Sequence, residues 1–380
     1  MKYVNILLIG LVLLFPGCTF LDVVPEGNIE SIESNFEKRD QTENWFKYCH
    51  FWVSPFTTSV ISNPAYMGTD EVVAGTYLRE SGFNWSGLYI ADGLQRTFDP
   101  YCNMWRRDAV YNSIRYCNTF LEKVWGVYNM TDAEKKLWVA EIKALKAYYY
   151  FELLRHYGPF VVMDENIDPG VPVEDMKKER SPVDVCVEEI VSLLDEAMKD
   201  LPLMKDKERS RWAYHSLESA AALKAMTLFY AASPLFNGNP AYSGFVNSKG
   251  EKLFSQQKDP EKWRYAAEAV DSALLICNRG GKYLISSESD KITDRIKDIE
   301  ASAIALNFEN AEAIYMFRYE SFVNGGWPKW TRPYFNSTDE DYNMEMKGCV
   351  APSLKMVEML LQMNLVLNTS DRKPTSTPRQ

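Results

Sequence analysis

The segment from residue 138 to residue 162 limits most strongly what this chain can fold into. Read as a helix, it carries two separate apolar stripes. One stripe consists of Ala140, Ala144, Ala147, Phe151 and Leu154, and the other of Trp138, Ile142, Leu145, Tyr149 and Leu153. The charged positions left for solvent are Glu141, Lys143, Lys146 and Arg155. Two apolar stripes predict that other helices cover this one from two sides, as in a stacked helical array.

Both ends of this helix carry clear signals. Thr131-Asp132-Ala133-Glu134 has the Ser/Thr-x-x-Glu pattern of a capping box, in which the first side chain accepts a hydrogen bond from a free backbone N–H group. At the other end, Gly158 supplies a residue that adopts a left-handed conformation easily, and Pro159 cannot continue a helix. The pattern therefore predicts one long helix that ends at Gly158.

Further amphipathic segments surround the long helix. Apolar residues recur at steps of three and four in segments 104–125, 181–201, 214–233 and 259–279, which predicts four more helices. In the last of these, the predicted inward face consists of Trp263, Ala267, Val270, Leu274 and Cys277. The chain is therefore predicted to be mostly α, with helical hairpins as the scaffold. Function is expected in the loop-rich parts, which are residues 40–103, residues 237–259 and the chain after residue 283.

The N-terminus has the pattern of an export signal. Lys2 precedes an apolar run, which is followed by Pro16, Gly17 and Cys18. The run is too short to span a bilayer, and a cysteine directly after a small residue is typical of a lipoprotein signal. We expect residues 1–17 to be removed and Cys18 to carry lipid, which would hold the protein at a membrane. An ordinary secretory signal, with Cys18 incidental, is the alternative.

Charge and motifs limit the chemistry. Lysine and arginine number 42 against 52 aspartate and glutamate residues, a formal net charge of −10, and no basic run is present, which argues against a nucleic-acid partner. The sequence has no G-x-S-x-G, H-E-x-x-H or P-loop motif, and its histidines, His50, His156 and His215, do not form a metal-ligand pattern. We predict no catalytic residue, no metal and no cofactor. A pair of glycosidase carboxylates stays open, because only their spatial separation identifies them.

Aromatic residues in loops are the stronger candidates for function. Trp85 and Tyr89 lie in one glycine-flanked loop, and Trp327, Trp330 and Tyr334 lie in another. Rigid, flat side chains can stack on sugar rings with little loss of conformational entropy, so these five residues are the predicted ligand contacts. The alternative for each residue is that it packs its loop against the helices.

The long helix and several other segments together resemble the SusD/RagB family, nutrient-binding lipoproteins of the outer membrane of Bacteroidetes. The segment 141–162 (EIKALKAYYYFELLRHYGPFVV) carries much of the likeness. The other matching blocks are Phe20-Leu21-Asp22 with Pro25, Thr69-Asp70-Glu71, residues 105–121, residues 180–202, residues 219–233, residues 263–269, residues 310–314 and Ala351-Pro352-Ser353. The resemblance implies tetratricopeptide-like helical hairpins, a loop-rich ligand-binding part and few short strands.

The resemblance also implies partners and a location. It implies a surface-exposed protein, anchored to the cell outer membrane through lipid, that binds a glycan or oligosaccharide for a SusC-like TonB-dependent transporter. It implies four parts: a signal peptide (1–17), a SusD-like helical region (18–235), a partial C-terminal region (236–357) and an atypical polar tail (358–380). The tail departs from the family pattern, so we expect a C-terminally truncated member. A surface glycoside hydrolase and a helical-repeat adaptor for proteins are the alternatives.

Overall fold

A computed structural model describes residues 32–50, 52, 64–69, 72–74, 86–106, 109–283, 291, 293, 311–315 and 350–352. Its helices are α1 (Arg39–Cys49), α2 (Pro64–Met67), α3 (Ser86–Ala91), α4 (Val110–Lys123), α5 (Asp132–Tyr157), α6 (Val173–Met176), α7 (Val183–Ala197), α8 (Leu217–Ala232) and α9 (Glu261–Arg279). Short 3-10 turns lie at Glu33–Phe36, Val124–Gly126, Met204–Asp206, Arg209–Arg211 and Pro240–Tyr242. The prediction of a mostly α fold is confirmed.

Helix α5 lies at the centre of the core. Every residue of its two predicted stripes is buried, which confirms the sequence pattern. Helices α4 and α7 flank α5, and α1 and α8 also contact it. Aromatic rings fill much of the space between these helices: Phe46 of α1 lies 5.1 Å from Trp138 and 5.7 Å from Phe120 of α4, measured between ring centroids. The helix is therefore enclosed, as two apolar stripes require.

The prediction that the charged residues of α5 face solvent is wrong at two positions. Glu141 and Lys146 were expected to face solvent, but both side chains are buried. The Glu141 carboxylate accepts hydrogen bonds from Arg211 and forms an ion pair with Lys207 at 2.9 Å. Lys146 donates to the carbonyl oxygen of Asp164 at 3.3 Å. Their partners lie far away in sequence, so helical periodicity alone cannot reveal that these charges are compensated.

The predicted ends of α5 are confirmed. The Thr131 hydroxyl accepts a hydrogen bond from the Glu134 N–H group at 3.2 Å, as in a capping box. The Glu134 side chain instead pairs with Arg39 of α1 at 2.7 Å, and so joins the two helices. Gly158 has φ +69°, and a Cβ atom there would lie 3.0 Å from the ring of Phe254. Both the backbone conformation and the close ring favour glycine at this position.

Helices α7 and α8 continue the stack. The predicted stripe of α7 is buried, although the helix ends at Ala197, earlier than the predicted residue 201, and Pro182 occupies the N-cap position. Helix α8 starts later than predicted, where Ser216 and Ser219 form a reciprocal capping box. Helix α8 packs against both α7 and α9.

The predicted inward face of α9 is confirmed for Cys277, which is buried, but is wrong for its other residues. The residues of α9 that are buried are Ala266, Ala273 and Cys277, and small side chains among them let α9 approach α8 closely. Trp263, Val270 and Leu274 are at least 38% exposed, and Ala267 is exposed as well. The helix thus presents its smallest side chains to α8 and leaves its larger apolar stripe uncovered by the residues described.

A small antiparallel sheet joins two distant parts of the chain. Strand β1 (Val72–Ala74) pairs with β2 (Val350–Pro352), with Val73 opposite Ala351. This pairing agrees with the expectation of few short strands. Among the residues described, no helix has the length and apolar character needed to cross a bilayer.

Candidate functional site

Tyr89 is the one predicted ligand contact that lies within the described residues. It belongs to the short helix α3 and is half-buried. Its ring lies 5.0 Å from the ring of Tyr101, measured between centroids. Trp85, Trp327, Trp330 and Tyr334 lie outside the described residues, as does the predicted lipid-attachment residue Cys18. Whether the five aromatic residues come together therefore stays a prediction.

Internal hydrogen bonds brace the segment that follows α3. The Gln95 side chain accepts from the N–H group of Tyr101 at 2.9 Å and donates to the carbonyl oxygen of the same residue at 3.2 Å. Arg96 donates to the carbonyl oxygen of Asp99 and to its carboxylate, both at 2.9 Å. The Arg96 guanidinium also lies over the Tyr101 ring, 4.6 Å from its centroid. These bonds hold residues 95–101 in a compact loop.

This loop exposes an aromatic side chain that sequence reasoning did not select. Phe98 is 89% exposed, and Leu94 is also exposed. A phenylalanine flanked by turn residues, here in the sequence Thr97-Phe98-Asp99-Pro100, was the available signal. We call residues 89–101, with Tyr89, Phe98 and Tyr101, the aromatic loop. A braced loop with an exposed ring can contact a flat apolar ligand face at low entropic cost.

A second surface feature lies between the turn Glu33–Phe36, helix α1 and helix α4, and we call it the α1–α4 groove. Its cavity has a volume of about 710 Å³. The lining residues are Ser34, Asn35, Gln41, Asn44, Trp45, Lys47, Tyr48 and Tyr116. Sequence reasoning missed this groove, because its residues come from segments about 70 positions apart.

Trp45 is fixed within the groove wall. Its indole N–H group donates to the carbonyl oxygen of Tyr116 at 3.1 Å. Its ring lies 5.4 Å from Phe36 and 5.2 Å from the ring of Tyr116, to which it is nearly perpendicular. Tyr48 is 60% exposed, and its ring lies 6.0 Å from that of Tyr116. The groove therefore combines a fixed indole ring with an accessible phenol.

The charges around the groove are compensated locally. Lys47 is the one charged residue in the described part of the lining, and its ammonium group lies 3.0 Å from the Glu43 carboxylate one turn earlier. The hydrogen bond from Lys47, and then its positive charge, lower the pKa of Glu43. Glu43 also accepts a hydrogen bond from Arg39 at 3.0 Å. The remaining lining groups are neutral amides, hydroxyls and aromatic rings.

A smaller cavity of about 400 Å³ lies between α4 and the segment 161–178. Its lining is mainly apolar and includes Ile114, Met163 and Ile167. The Asn118 amide donates to the carbonyl oxygen of Met163 at 3.0 Å and so ties this segment to α4. The cavity therefore differs from the groove, which is lined mostly by polar and aromatic groups.

The three histidines serve as packing residues in the structure. His50 and His215 are buried, and His156 is half-buried with Nδ1 2.8 Å from the carbonyl oxygen of Glu152. Burial lowers the pKa of all three, to about 4 for His50 and about 3 for His215. The described residues contain no group of three or more His, Cys, Asp or Glu side chains suited to a metal ion.

Comparison with known families finds a matching model. Residues 47–230 match a SusD-like family described as starch-binding and associating with the outer membrane. This region contains the aromatic loop and helices α2 to α7, together with most of α8. A search of curated proteins found no match.

Solved structures with the same fold extend the likeness. A protein named BT4246 is 25% identical, with a TM-score of 0.67, and the match covers 84% of this chain and 56% of BT4246. A SusD-like protein from Bacteroides fragilis is 18% identical, with a TM-score of 0.54 and coverages of 76% and 46%. Surface glycan-binding protein A from Bacteroides thetaiotaomicron, solved with laminarihexaose, is 12% identical, with a TM-score of 0.52 and coverages of 90% and 68%. The chain thus spans about half the length of the first two.

Proposed function

We propose that the chain is a SusD-like protein of the SusD/RagB family and that it captures glycans at the bacterial outer membrane for uptake. The family model is described as starch-binding, and one structure with the same fold holds laminarihexaose. The observation on this chain that carries the proposal is the aromatic loop, which presents Phe98 to solvent on a hydrogen-bonded frame.

Sugar recognition fits the chemistry of this loop. The C–H faces of a sugar ring are apolar, whereas its hydroxyl groups both donate and accept hydrogen bonds. Phe98 supplies a flat apolar surface, and its loop is already ordered by Gln95 and Arg96, so binding would freeze few further rotations. Trp85, Trp327, Trp330 and Tyr334 are proposed as additional contacts from the sequence.

The other parts of the proposal concern location and delivery. We propose that lipid on Cys18 anchors the protein to the outer membrane, facing outward, and that a SusC-like TonB-dependent transporter receives the ligand. The function needs no bond chemistry, since capture and transfer are binding events. A pull-down with a transporter of that class and mass analysis of the N-terminal peptide test these two points separately.

Titration calorimetry tests glycan capture. Laminarihexaose, maltohexaose and cellohexaose would be titrated into the wild-type protein, and sugar release would be monitored in the same samples. We expect binding of at least one hexasaccharide with no release. Phe98→Ala should weaken that binding about tenfold, the loss of about 1.4 kcal/mol that one good ring contact accounts for.

The matched control is Phe229→Ala, which removes an exposed phenylalanine of α8 outside the aromatic loop. It should bind as the wild type does. No binding of any glycan by the wild-type protein would count against the proposed function. Equal binding by Phe98→Ala and the wild type would remove the aromatic loop from the site, and sugar release would favour a hydrolase.

A further inference from the structure

We propose that the α1–α4 groove is a second saccharide-binding site, selective for neutral oligosaccharides. This inference rests on the proposed glycan-binding function and extends it to a surface formed by other elements. The aromatic loop belongs to α3 and the residues after it, whereas the groove is formed by the turn Glu33–Phe36, α1 and α4.

One face of α1 supplies the key groups. Gln41, Asn44, Trp45 and Tyr48 stand at positions i, i+3, i+4 and i+7 of this helix, so their side chains lie along one face. The adjacent face of α1 carries Thr42, Phe46 and Cys49, which are buried in the core. The sequence of α1 thus separates a packing face from a face with two amides and two aromatic rings.

The aromatic groups can stack on a sugar. Trp45 cannot turn freely, because its indole N–H group is bonded to Tyr116 and its ring packs against Phe36. The Tyr48 ring is mostly exposed and lies beside Tyr116. The two aromatic rings can stack on the apolar C–H faces of a sugar ring. The Tyr48 hydroxyl can form hydrogen bonds with sugar hydroxyl groups.

The amides provide matching hydrogen bonds. Asn44 is exposed at the groove, and Gln41 carries an Oε1 atom that has no hydrogen-bond partner in the described structure. An amide offers two donors and one acceptor oxygen, and a hydroxyl group can serve either partner. A small turn of the Gln41 side chain would let its oxygen accept from a ligand hydroxyl. A buried acceptor without a partner is costly, so such a bond would be favourable.

Charge and size define the class of ligand. Among the residues described, the lining includes no carboxylate, and the ammonium of Lys47 is already paired with Glu43. An anionic glycan would therefore have to compete with Glu43 for the ammonium group of Lys47, whereas a neutral glycan would not. The cavity volume of about 710 Å³ lies within the range of roughly 300–1,000 Å³ that is usual for small-molecule sites.

The experiment uses the full chain and two groove variants, Tyr48→Ala and Asn44→Ala. The control is Tyr128→Ala, which removes another largely exposed tyrosine that lies outside the groove lining. Each protein would be titrated with the three neutral hexasaccharides and with an oligogalacturonide as the acidic probe. Phe98→Ala and the double variant Phe98→Ala/Tyr48→Ala would be titrated in parallel.

We expect the wild-type protein to bind a neutral hexasaccharide at two sites and the oligogalacturonide more weakly. Tyr48→Ala should weaken one of the two sites about tenfold, as expected for the loss of one stacking ring. Asn44→Ala should act on the same site in the same direction, Tyr128→Ala should leave both sites unchanged, and the double variant should weaken both.

Three outcomes would overturn the groove site alone. In the first outcome, Tyr48→Ala and Asn44→Ala both bind saccharide as the control does, and Phe98→Ala alone weakens binding. The proposed function would then stand without the groove. The oligogalacturonide could bind more tightly than every neutral hexasaccharide. Tyr48→Ala could reduce capture of a SusC-like transporter with saccharide binding unchanged, which would make the groove a protein contact. If the wild type binds no saccharide at all, the proposed function and this inference both fail.

Discussion

Helices α5 and α9 both carry apolar stripes, but the elements that surround them differ. Helix α5 has α4 and α7 on its flanks and buries both stripes, together with Glu141 and Lys146. Helix α9 packs chiefly on α8 and buries Ala266, Ala273 and Cys277, while Leu274 stays 57% exposed. Periodicity therefore predicts that a stripe exists, but only a neighbouring element determines whether the stripe is buried.

The difference has an energetic basis. Covering a large apolar side chain removes its surface from water and contributes about 1.5–3 kcal/mol. For α5, neighbouring helices on two sides provide this contribution. It also offsets the unfavourable burial of charged groups in the same helix. For α9 it comes from one side, where small residues allow close approach to α8. Matched substitutions in the two environments test this interpretation.

The largest effect is expected for the buried charge of α5. Glu141→Gln removes the negative charge that compensates Lys207 and Arg211, two cations that are themselves buried or nearly so. Burial lowers the pKa of Lys207, although the nearby Glu141 carboxylate stabilises the ammonium form and acts in the opposite direction. The charged form of Lys207 is therefore already destabilised by burial, even with Glu141 present. We expect the free energy of unfolding, measured with urea, to fall by about 3–5 kcal/mol.

Glu196→Gln provides the matched control for Glu141→Gln. Glu196 pairs with Lys143 of α5, but on the surface, with 47% of its side chain exposed. Its loss should change the free energy of unfolding by about 0–1 kcal/mol. Equal effects of the two substitutions would show that Glu141 is not held in a buried ion pair.

The second largest effect on stability is expected for Leu145→Ala, which leaves a cavity in the core. Leu145 belongs to a stripe of α5 and is fully buried. Truncation removes apolar contacts and leaves a void that the surrounding helices fill only in part, so the free energy of unfolding should fall by about 2–5 kcal/mol. A change below about 1 kcal/mol in urea unfolding would contradict the enclosure of α5.

The third effect is a loss of stability in mild acid. His50 lies beside Phe46 of α1, and His215 lies beside Tyr148 of α5. The folded-state pKa values of the two histidines are lowered from 6.5 to about 4 and about 3. Burial is the main cause. For His50 the charges of Arg211 and Lys207 act in the same direction, and for His215 those of His50 and Lys207 do.

Because the unfolded chain binds these protons first, stability is present above pH 6.5 and falls as the pH drops toward the folded-state pKa values. Between about pH 7 and pH 5 each histidine should remove about 2 kcal/mol from the free energy of unfolding. Urea unfolding at three pH values in this range measures the slope. A flat profile would mean that neither imidazole is kept neutral by burial.

The smallest effect is expected on α9. Leu274→Ala makes the same chemical change as Leu145→Ala but at an exposed position. With little covered surface to lose, the free energy of unfolding should change by no more than about 0.5 kcal/mol. A loss as large as that of Leu145→Ala would show that another part of the protein covers the exposed stripe of α9.

The sequence predicted the helices better than the sites. The stripes of α5 and α7, the Thr131 cap and the Gly158 terminus are local patterns, and each depends on residues a few positions apart. The groove depends on Trp45 and Tyr116, which are far apart in the chain and meet only after α1 packs on α4. Phe98 had a local signal in its turn residues, but its exposure depends on the hydrogen bonds of Gln95 and Arg96.

The sequence by itself determined that this chain forms amphipathic helices and where most of them begin and end, because helix formation and capping act over neighbouring residues. Only the tertiary structure decided which stripes are covered, why Glu141 and Lys146 lie inside, and where amides and aromatic rings meet in a groove. The physical reason is that burial and charge compensation depend on contacts between distant segments, and such contacts leave no periodic pattern in the chain.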